Sequence, residues 1–496
     1  MRALETLLWI ADLLTFFALS APPLRAVRWL RQMASVAMLI GVAQVLTEGP
    51  RWQMFPAYAL TGIFFLVSML KKLAPSGKPV VGRQPQRMAI GLGAIGMAIS
   101  LALPALIPVF RFPHPTGSHD IGTLTYHWVD AARSEAFDAD PNVRRELMVQ
   151  IWYPSKRPGS GARAAYMPDA DEVTAAFAQI QHIPGFIFGH FKYVTTNAFV
   201  SSPAAVDQAS YPVLIFLEGA TGFRQMNTFQ VEEMVSHGYI VVAIDQPGTA
   251  ADVVFPDGRQ AMWSSLDSMK LIRQSYMPDT SPPMLNGKTY KDGIVRYLAQ
   301  DVIFTLNKLA GLNQSDPNRI LTGKLDLQHI GAFGVSLGGI AVGEACLLEP
   351  RLKACLMLDA PMTTDVVKAG LQQPCMWITR DAAGMRFERQ RAGGWSEVEI
   401  GAHQSSMRAV YAGLAGSGYL VQVPGSFHSN FTDVPNWTPL ASLLHFSGAI
   451  DAQRVHDIVN AYSLAFFDRH LKGQAATLLN GPAAPYPEAR YESRRP

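Results

Sequence analysis

Residues 88–110 carry no charged side chain and are bounded by Arg87 and Arg111. A helix of about 20 apolar residues crosses the hydrocarbon core of a bilayer. Three more apolar segments precede this one, at residues 3–24, 32–47 and 52–70, although the first contains Glu5 and Asp12. We therefore predict an all-α transmembrane region of about four helices in residues 1–112. Asp12 is expected to make a structural polar contact inside that bundle.

Charge predicts the orientation of this region. Residues 1–111 hold 11 Lys/Arg and 3 Asp/Glu, and the loop at 71–87 is strongly basic. Because Lys and Arg accumulate in cytoplasmic loops, this loop is expected inside the cell and everything after residue 110 outside. The protein is thus predicted to be a multi-pass membrane protein with an extracytoplasmic second part. The alternative is a signal peptide cleaved near residues 18–20.

After residue 121 the pattern changes to short β-branched runs that alternate with amphipathic segments. This alternation is typical of an α/β fold with a mostly parallel sheet covered by helices. The predicted strands are 147–153, 212–217, 239–245, 329–334, 354–358, 374–379 and 419–423, and the predicted helices are 226–236, 294–310, 338–348, 404–414 and 452–471. We assign residues 113–473 to this domain and 474–496 to a loose Ala/Pro-rich tail.

Composition and cysteine usage exclude several classes. Only 16% of residues are charged and the net charge is +3, which argues against disorder and against a nucleic-acid partner. The three cysteines, Cys346, Cys355 and Cys375, lie on predicted core elements and are expected to be buried free thiols. Metal-ligand spacing and a phosphate-binding glycine loop are both absent from the sequence. No metal and no organic cofactor is predicted.

The strongest local motif is Gly334-Val335-Ser336-Leu337-Gly338, which lies between an apolar strand and a helix that opens with small residues. In this context G-x-S-x-G forms a sharp strand-to-helix turn that exposes the serine. The amino end of the helix also offers free N–H groups to a developing oxyanion. Ser336 is therefore the predicted nucleophile, and the fold expected around it is that of the α/β-hydrolases.

A nucleophilic serine needs a histidine base and an acid that orients it, in the chain order Ser, acid, His. His428 follows the strand at 419–423 in a short polar loop, whereas His403, His445, His456 and His470 lie on predicted helices or their edges. His428 is the predicted base.

Two carboxylates compete for the role of the acid. Asp359 follows the strand at 354–358, and Asp381 follows the next strand. Spacing alone does not choose between them.

Several segments together resemble the plasma-type platelet-activating factor acetylhydrolases, also called lipoprotein-associated phospholipases. Besides the serine turn, the resemblance rests on residues 122–128, 145–154, 219–224, 237–241, 358–362 and 428–433. It implies an α/β-hydrolase fold, and it assigns the acid to Asp359. It also implies that the backbone N–H groups of Ala220 and Leu337 bind the oxyanion.

The sequence departs from this family at Glu218, where His usually precedes the glycine of the oxyanion loop. A carboxylate there repels the oxyanion unless Arg224 neutralises it or the side chain points away; we favour the second reading. The four-span region is the other departure, because the secreted members lack it. An aromatic insert at 180–191 is either a lipid-facing lip or a core-packing segment.

The predicted function is that of a membrane-anchored serine ester hydrolase that forms an acyl-enzyme. By resemblance, its substrate is a short-acyl phospholipid or a related small ester met at the bilayer. The alternatives are an acyltransferase on the same triad, a polyester or xenobiotic esterase, and a non-catalytic membrane sensor. No oligomeric state follows from the sequence.

Overall fold

The computed structural model describes residues 1–495 except 22, 25–26, 74–82, 157–160, 264 and 482–484. The chain divides into two compact units. The first comprises Met1–Phe110 together with Phe186–Tyr193 and Trp437–Leu440, and the second comprises the rest. The two short segments were not part of the transmembrane region expected from the sequence.

Four helices form the body of the first unit: α1 (Ala3–Ser20), α2 (Met33–Thr47), α3 (Phe55–Leu73) and α4 (Arg83–Leu106). The apolar stretches that overlap them are 18 to 22 residues long, and each is long and apolar enough to cross a membrane. The spans predicted from hydropathy therefore coincide with helices. Many of their large apolar side chains are exposed, which is typical of helices that face lipid.

Both acidic residues of α1 have partners inside the bundle. Glu5 is fully buried and receives two hydrogen bonds from Arg51, at 2.7 and 2.8 Å. The hydroxyl of Thr61 on α3 lies 2.7 Å from Asp12 Oδ2. Asp12 thus makes the polar contact expected of it.

The segments Phe186–Tyr193 and Trp437–Leu440 contribute an aromatic cluster to the first unit. The ring of Phe191 lies 5.6 Å from Phe110 and 5.0 Å from Trp437, in edge-to-face geometry. Phe191 is buried, whereas Phe186 is 60% exposed. The aromatic insert therefore has a packed side and an open side, so neither expectation for it describes the whole segment.

The second unit is built on a sheet of 11 strands in the order β15-β14-β13-β12-β11-β5-β6-β2-β1-β4-β3. Its strands are β1 (Asp120–Ser134), β2 (Arg144–Ser155), β3 (Arg163–Ala165), β4 (Thr195–Val200), β5 (Tyr211–Leu217), β6 (Ile240–Asp245), β11 (Leu325–Val335), β12 (Leu352–Leu358), β13 (Cys375–Thr379), β14 (Gly418–Gln422) and β15 (Arg490–Arg494). Strands β5, β6 and β11–β14 run parallel, as the sequence predicts. Two small hairpins pair β7 (Asp252–Val254) with β8 (Gln260–Met262), and β9 (Met284–Leu285) with β10 (Lys288–Thr289).

Helices cover both faces of this sheet, and every residue of β5 and β6 is buried. The helices are α5 (Ala170–Ile180), α6 (Thr228–Ser236), α7 (Ser265–Tyr276), α8 (Val295–Gln314), α9 (Leu337–Leu348), α10 (Thr364–Ala369), α11 (Ala382–Ala392), α12 (Glu397–Gly413) and α13 (Ala452–Leu471). Successive side chains of the parallel strands point alternately into two hydrophobic cores, one on each face of the sheet.

The expectation of three free thiols is wrong. Cys346 on α9 and Cys355 on β12 form a disulfide, and Cys375 is the buried free cysteine. Cys355 and Cys375 are neighbours in the sheet register. The sequence separation of Cys346 and Cys355 is only 9, and α9 packs directly on β12, which brings the two sulfurs together.

The loose tail predicted for residues 474–496 is also wrong for its last part. Strand β15 pairs antiparallel with β14 and forms one edge of the sheet. Arg408 on α12 forms an ion pair with Glu492 on this strand at 2.6 Å. The described end of the chain is therefore part of the second unit.

Candidate active site

Ser336 lies between the end of β11 and the start of α9, with φ 56° and ψ −121°. A left-handed φ is costly for a non-glycine residue and is held only by its surroundings. The Ser336 N–H donates to the carbonyl of Leu358 at 2.9 Å, which ties the turn to the end of β12. A side chain at Gly338 is impossible, since its Cβ would lie 2.0 Å from the carbonyl oxygen of Leu217.

This close approach brings the loop after β5 next to the serine. A Cβ on Gly219 would lie 3.2 Å from Ser336 Cβ and 3.8 Å from its Oγ. Thr221 has φ +60°, and its N–H donates to Thr249 at 2.8 Å, which fixes the loop. Ala220 lies in this loop, and Leu337 is the first residue of α9, where N–H groups lack intrahelical partners. Both predicted oxyanion donors therefore belong to segments that flank Ser336.

The predicted base and acid are in contact. His428 follows β14 at the start of a 3-10 helix, and Asp359 follows β12. His428 Nδ1 lies 2.5 Å from Asp359 Oδ2. Asp359 is fully buried, whereas the side chain of His428 is 27% exposed. Ser336, Asp359 and His428 all follow carboxyl ends of parallel strands, so they share one edge of the sheet, where ligands bind in α/β folds.

The carboxylate of Asp359 is held from several sides. Arg380 Nε donates to Oδ2 at 2.7 Å, and the Thr379 hydroxyl donates to Oδ1 at 2.8 Å. Burial raises the pKa of this carboxyl, but Arg380, followed by His428, outweighs burial and holds the pKa well below its usual range. Asp359 is therefore a carboxylate near neutral pH.

Asp381, the competing acid, has a structural position. It caps α11 by accepting the N–H of Gly384 at 2.7 Å, and its other oxygen accepts from Arg490 at 2.9 Å. Both oxygens thus have partners other than a histidine. The structure brings Asp359, and not Asp381, to His428.

Two residues beside this contact were not predicted to belong to the site. Glu388 on α11 pairs with Arg380, and its oxygens lie 3.1 and 3.3 Å from the His428 backbone nitrogen, which donates to them. His403 on α12 is buried, with Nε2 at 3.7 Å from Asp359 Oδ1. Burial lowers the pKa of His403 to about 4, so its ring is neutral near pH 7. His403 was expected to be an ordinary packing or surface residue.

Glu218 precedes the oxyanion loop and is fully buried. Its Oε1 accepts the N–H of Gln246 at 3.0 Å, which directs the carboxyl toward the end of β6. Arg224 forms its ion pair with Asp245, so it does not supply the neutralisation of Glu218 that the sequence suggested. Burial, to which the charge of Asp245 adds, raises the pKa of Glu218 well above its ordinary value. Glu218 therefore keeps its proton to higher pH than a solvent-exposed glutamic acid does.

Comparison with known proteins identifies the family of this chain. A family profile described as platelet-activating factor acetylhydrolase, isoform II, matches residues 107–477. The chain belongs to this family. It is a carboxylic ester hydrolase with an α/β-hydrolase sheet, as the resemblance implied.

Relatives and a solved structure agree with this assignment. The chain is 21% identical over 387 residues to the platelet-activating factor acetylhydrolase of Gallus gallus, which covers 73% of this chain and 84% of that protein. It is 24% identical over 297 residues to a probable 1-alkyl-2-acetylglycerophosphocholine esterase of Arthroderma benhamiae, which covers 58% and 67%. The structure is similar to a ferulic acid esterase from Streptomyces cinnamoneus, with a TM-score of 0.58, 25% identity and coverage of 77% and 99%.

Replacement of Glu218 by Gln tests the raised pKa of this buried acid. When the pKa of an acid is higher in the folded state, the protein loses stability as pH rises above the unfolded pKa, because unfolding then releases a proton. Glu218→Gln removes this pH-dependent penalty, so it should raise the melting temperature at pH 8. At pH 4.5 the two proteins should melt within about 1 °C of each other. An equal shift at both pH values, measured by thermal unfolding in detergent, would contradict this reading.

Proposed function

We propose that this member of the family is a membrane-anchored serine hydrolase that removes a short acyl group from a phospholipid or a related ester. The contact between His428 Nδ1 and Asp359 Oδ2, at the edge of the sheet where Ser336 also follows its strand, is the observation that carries the proposal. The names of the relatives support the substrate class, since the relatives are named as enzymes for platelet-activating factor or for a 1-alkyl-2-acetylglycerophosphocholine.

In the first half of the proposed reaction, Ser336 Oγ attacks the ester carbonyl while His428 Nε2 takes its proton. Asp359 keeps the other ring nitrogen protonated and stabilises the imidazolium that forms. The N–H groups of Ala220 and Leu337 hold the negative oxygen of the tetrahedral intermediate, an effect on the order of 3 kcal/mol for each donor. His428 then gives its proton to the leaving alcohol, here a lysophospholipid, and the acyl group remains on Ser336.

In the second half, water attacks the acyl-enzyme. His428 takes a proton from the water, and the carbonyl oxygen again becomes negative next to the same two N–H groups. Collapse of this intermediate releases the carboxylic acid and returns the proton to Ser336 Oγ. If an alcohol replaces water at this step, the same residues perform an acyl transfer, which the products distinguish.

The first experiment is hydrolysis of an ester series by the full chain and by Ser336→Ala. The series runs from acetyl to long acyl and includes short-chain phospholipids and methyl ferulate, with added glycerol as an alternative acceptor. We expect turnover of short-acyl phospholipids that falls by about 10⁴-fold or more in the variant, because the covalent step is lost. A preference for methyl ferulate would move the substrate toward that of the ferulic acid esterase, and a glycerol ester product would indicate an acyltransferase. Activity that does not depend on Ser336 would contradict the proposed mechanism.

The second experiment compares Asp359→Asn with Asp381→Asn, two isosteric changes one strand apart. Asp359→Asn should lower kcat/KM by about 10³–10⁴-fold, since it removes the charge that stabilises the imidazolium and favours the wrong ring tautomer. Asp381→Asn keeps the helix cap, for which Asn is as good as Asp, and should change kcat/KM by less than about threefold. The reverse order of effects would assign the acid to Asp381.

We also propose that α1–α4 cross the membrane and that the second unit is extracytoplasmic. Lys71 and Lys72 lie in the last turn of α3, and Lys78, Arg83 and Arg87 follow them. This cluster of positive charge favours a cytoplasmic location for the connection between α3 and α4. The disulfide Cys346–Cys355 independently favours an oxidising compartment for the second unit.

Counting free thiols in intact cells tests this topology. After acid quenching and denaturation, a maleimide-polyethylene glycol reagent should add to one of the three cysteines, Cys375, because the other two are oxidised. Cys346→Ser is the matched control and should give two additions, at Cys355 and Cys375. Three additions to the unchanged chain would indicate that the second unit faces the reducing cytoplasm.

A further inference from the structure

The acid of the proposed triad is paired with an arginine. Arg380 follows β13 directly, its side chain is fully buried, and its Nε donates to the same Asp359 oxygen that contacts His428. The main-chain N–H of Arg380 lies 3.3 Å from the other oxygen, Oδ1. Such bonds fix the position of the carboxylate, which must hold the imidazole in one orientation.

The same pairing has an electrostatic cost. The acid of a triad works because its negative charge stabilises the imidazolium in the transition state. A guanidinium at hydrogen-bond distance cancels that charge at the position of His428, and burial makes the cancellation strong. Asp359 and Arg380 alone therefore form a pair with no net charge beside the base.

Glu388 supplies a second negative charge to this cluster. It contacts Arg380 on the side away from Asp359, since Arg380 uses NH1 for Glu388 and Nε for Asp359. It also accepts the backbone N–H of His428, at 3.1 Å to Oε2 and 3.3 Å to Oε1. Its side chain is 16% exposed, so solvent screens its charge only weakly.

The other titratable groups around the cluster do not supply this charge. His403 approaches Asp359 from α12, and its ring is neutral near pH 7. Asp381 is directed to the N-terminus of α11 and to Arg490. Arg386 and Arg389, also on α11, pair with Glu397. Among the residues that the structure describes, the charged groups around His428 are thus Asp359, Arg380 and Glu388.

We propose that Glu388 is a positioning residue of the catalytic site that restores the net negative charge beside His428 and holds its backbone in place. This inference rests on the proposed function, in which His428 is the base. Asp359, Arg380 and Glu388 together carry one net negative charge, and protonation of His428 in the transition state neutralises it. Arg380 fixes the acid, and Glu388 compensates for the charge of Arg380.

The test is the pH dependence of kcat/KM for a water-soluble acetyl ester, measured with the full chain in detergent. The acidic limb of this profile reports protonation of the base in the free enzyme. Glu388→Gln keeps the size and can still accept the His428 N–H, but it removes the charge. The limb should then move to lower pH by about one unit, and the plateau should fall about tenfold. Glu397→Gln is the matched control: it removes a carboxylate that also pairs with arginines, and it should leave the limb in place.

Neutralisation of Arg380 should give the opposite shift. Arg380→Gln removes the positive charge and should move the limb to higher pH by about one unit, and the double variant should return it to within about 0.3 units of the unchanged protein. Glu388→Asp keeps the charge and should keep the limb. If Arg380→Gln does not fold, the comparison of the Glu388 and Glu397 variants still decides the question.

Two failures are distinguishable. A lower plateau with an unmoved limb in Glu388→Gln would show that the residue has a packing role only, and it would overturn this inference while the proposed reaction stands. Esterase activity that persists in Ser336→Ala would overturn the proposed reaction itself, because the limb would then not report on His428.

Discussion

Gly338 packs against the end of β5 so closely that no side chain fits between them. Its Cβ position lies 2.0 Å from the carbonyl oxygen of Leu217, and that of Gly334 lies 2.5 Å from the backbone of Gly338. Because of these contacts, β11, the turn at Ser336 and the first turn of α9 can approach the neighbouring strand. The loop that carries Ala220 then begins beside the serine. Backbone packing thus brings Ser336, the proposed nucleophile, close to the segments expected to bind its oxyanion.

Asp359, the proposed acid, is instead held in place by buried charged and polar partners. Asp359 has φ +45°, a conformation that costs energy for a side chain of this kind. Its carboxylate is surrounded by Arg380, Thr379 and His428. Removing one partner of a buried pair leaves an uncompensated charge, which is far more costly than replacing both partners. Arg380 and Asp359 therefore depend on each other, and the pair alone would leave the base without a stabilising charge.

Much of this arrangement can be predicted from the sequence, because it follows from local patterns. Three features can be identified from consecutive residues alone: the apolar runs of the central strands, the glycines around Ser336 and the polar loop at His428. Spacing could not choose between Asp359 and Asp381, since both follow strands; the choice depends on which carboxylate reaches His428. Glu388 lies on a helix that the sequence did not predict, and no periodic pattern marks it.

Two other errors have similar physical causes. Strand β15 has the sequence Arg-Tyr-Glu-Ser-Arg, whose charged side chains suit an exposed edge strand but do not form an apolar run. The disulfide depends on how α9 packs on β12, and an odd number of cysteines gives no pairing rule. In both cases tertiary contact decides the outcome, and single-sequence patterns do not encode it.

The composition of the first unit has a consequence for the order in which the protein is built. Residues 1–110 are translated before the other two segments of their unit, Phe186–Tyr193 and Trp437–Leu440. Phe110 packs on Phe191, which in turn packs on Trp437. Domains usually fold as units, the earliest synthesised first. Here the unit that contains residues 1–110 is completed late, because Trp437 is translated only after Ser336, Asp359 and His428.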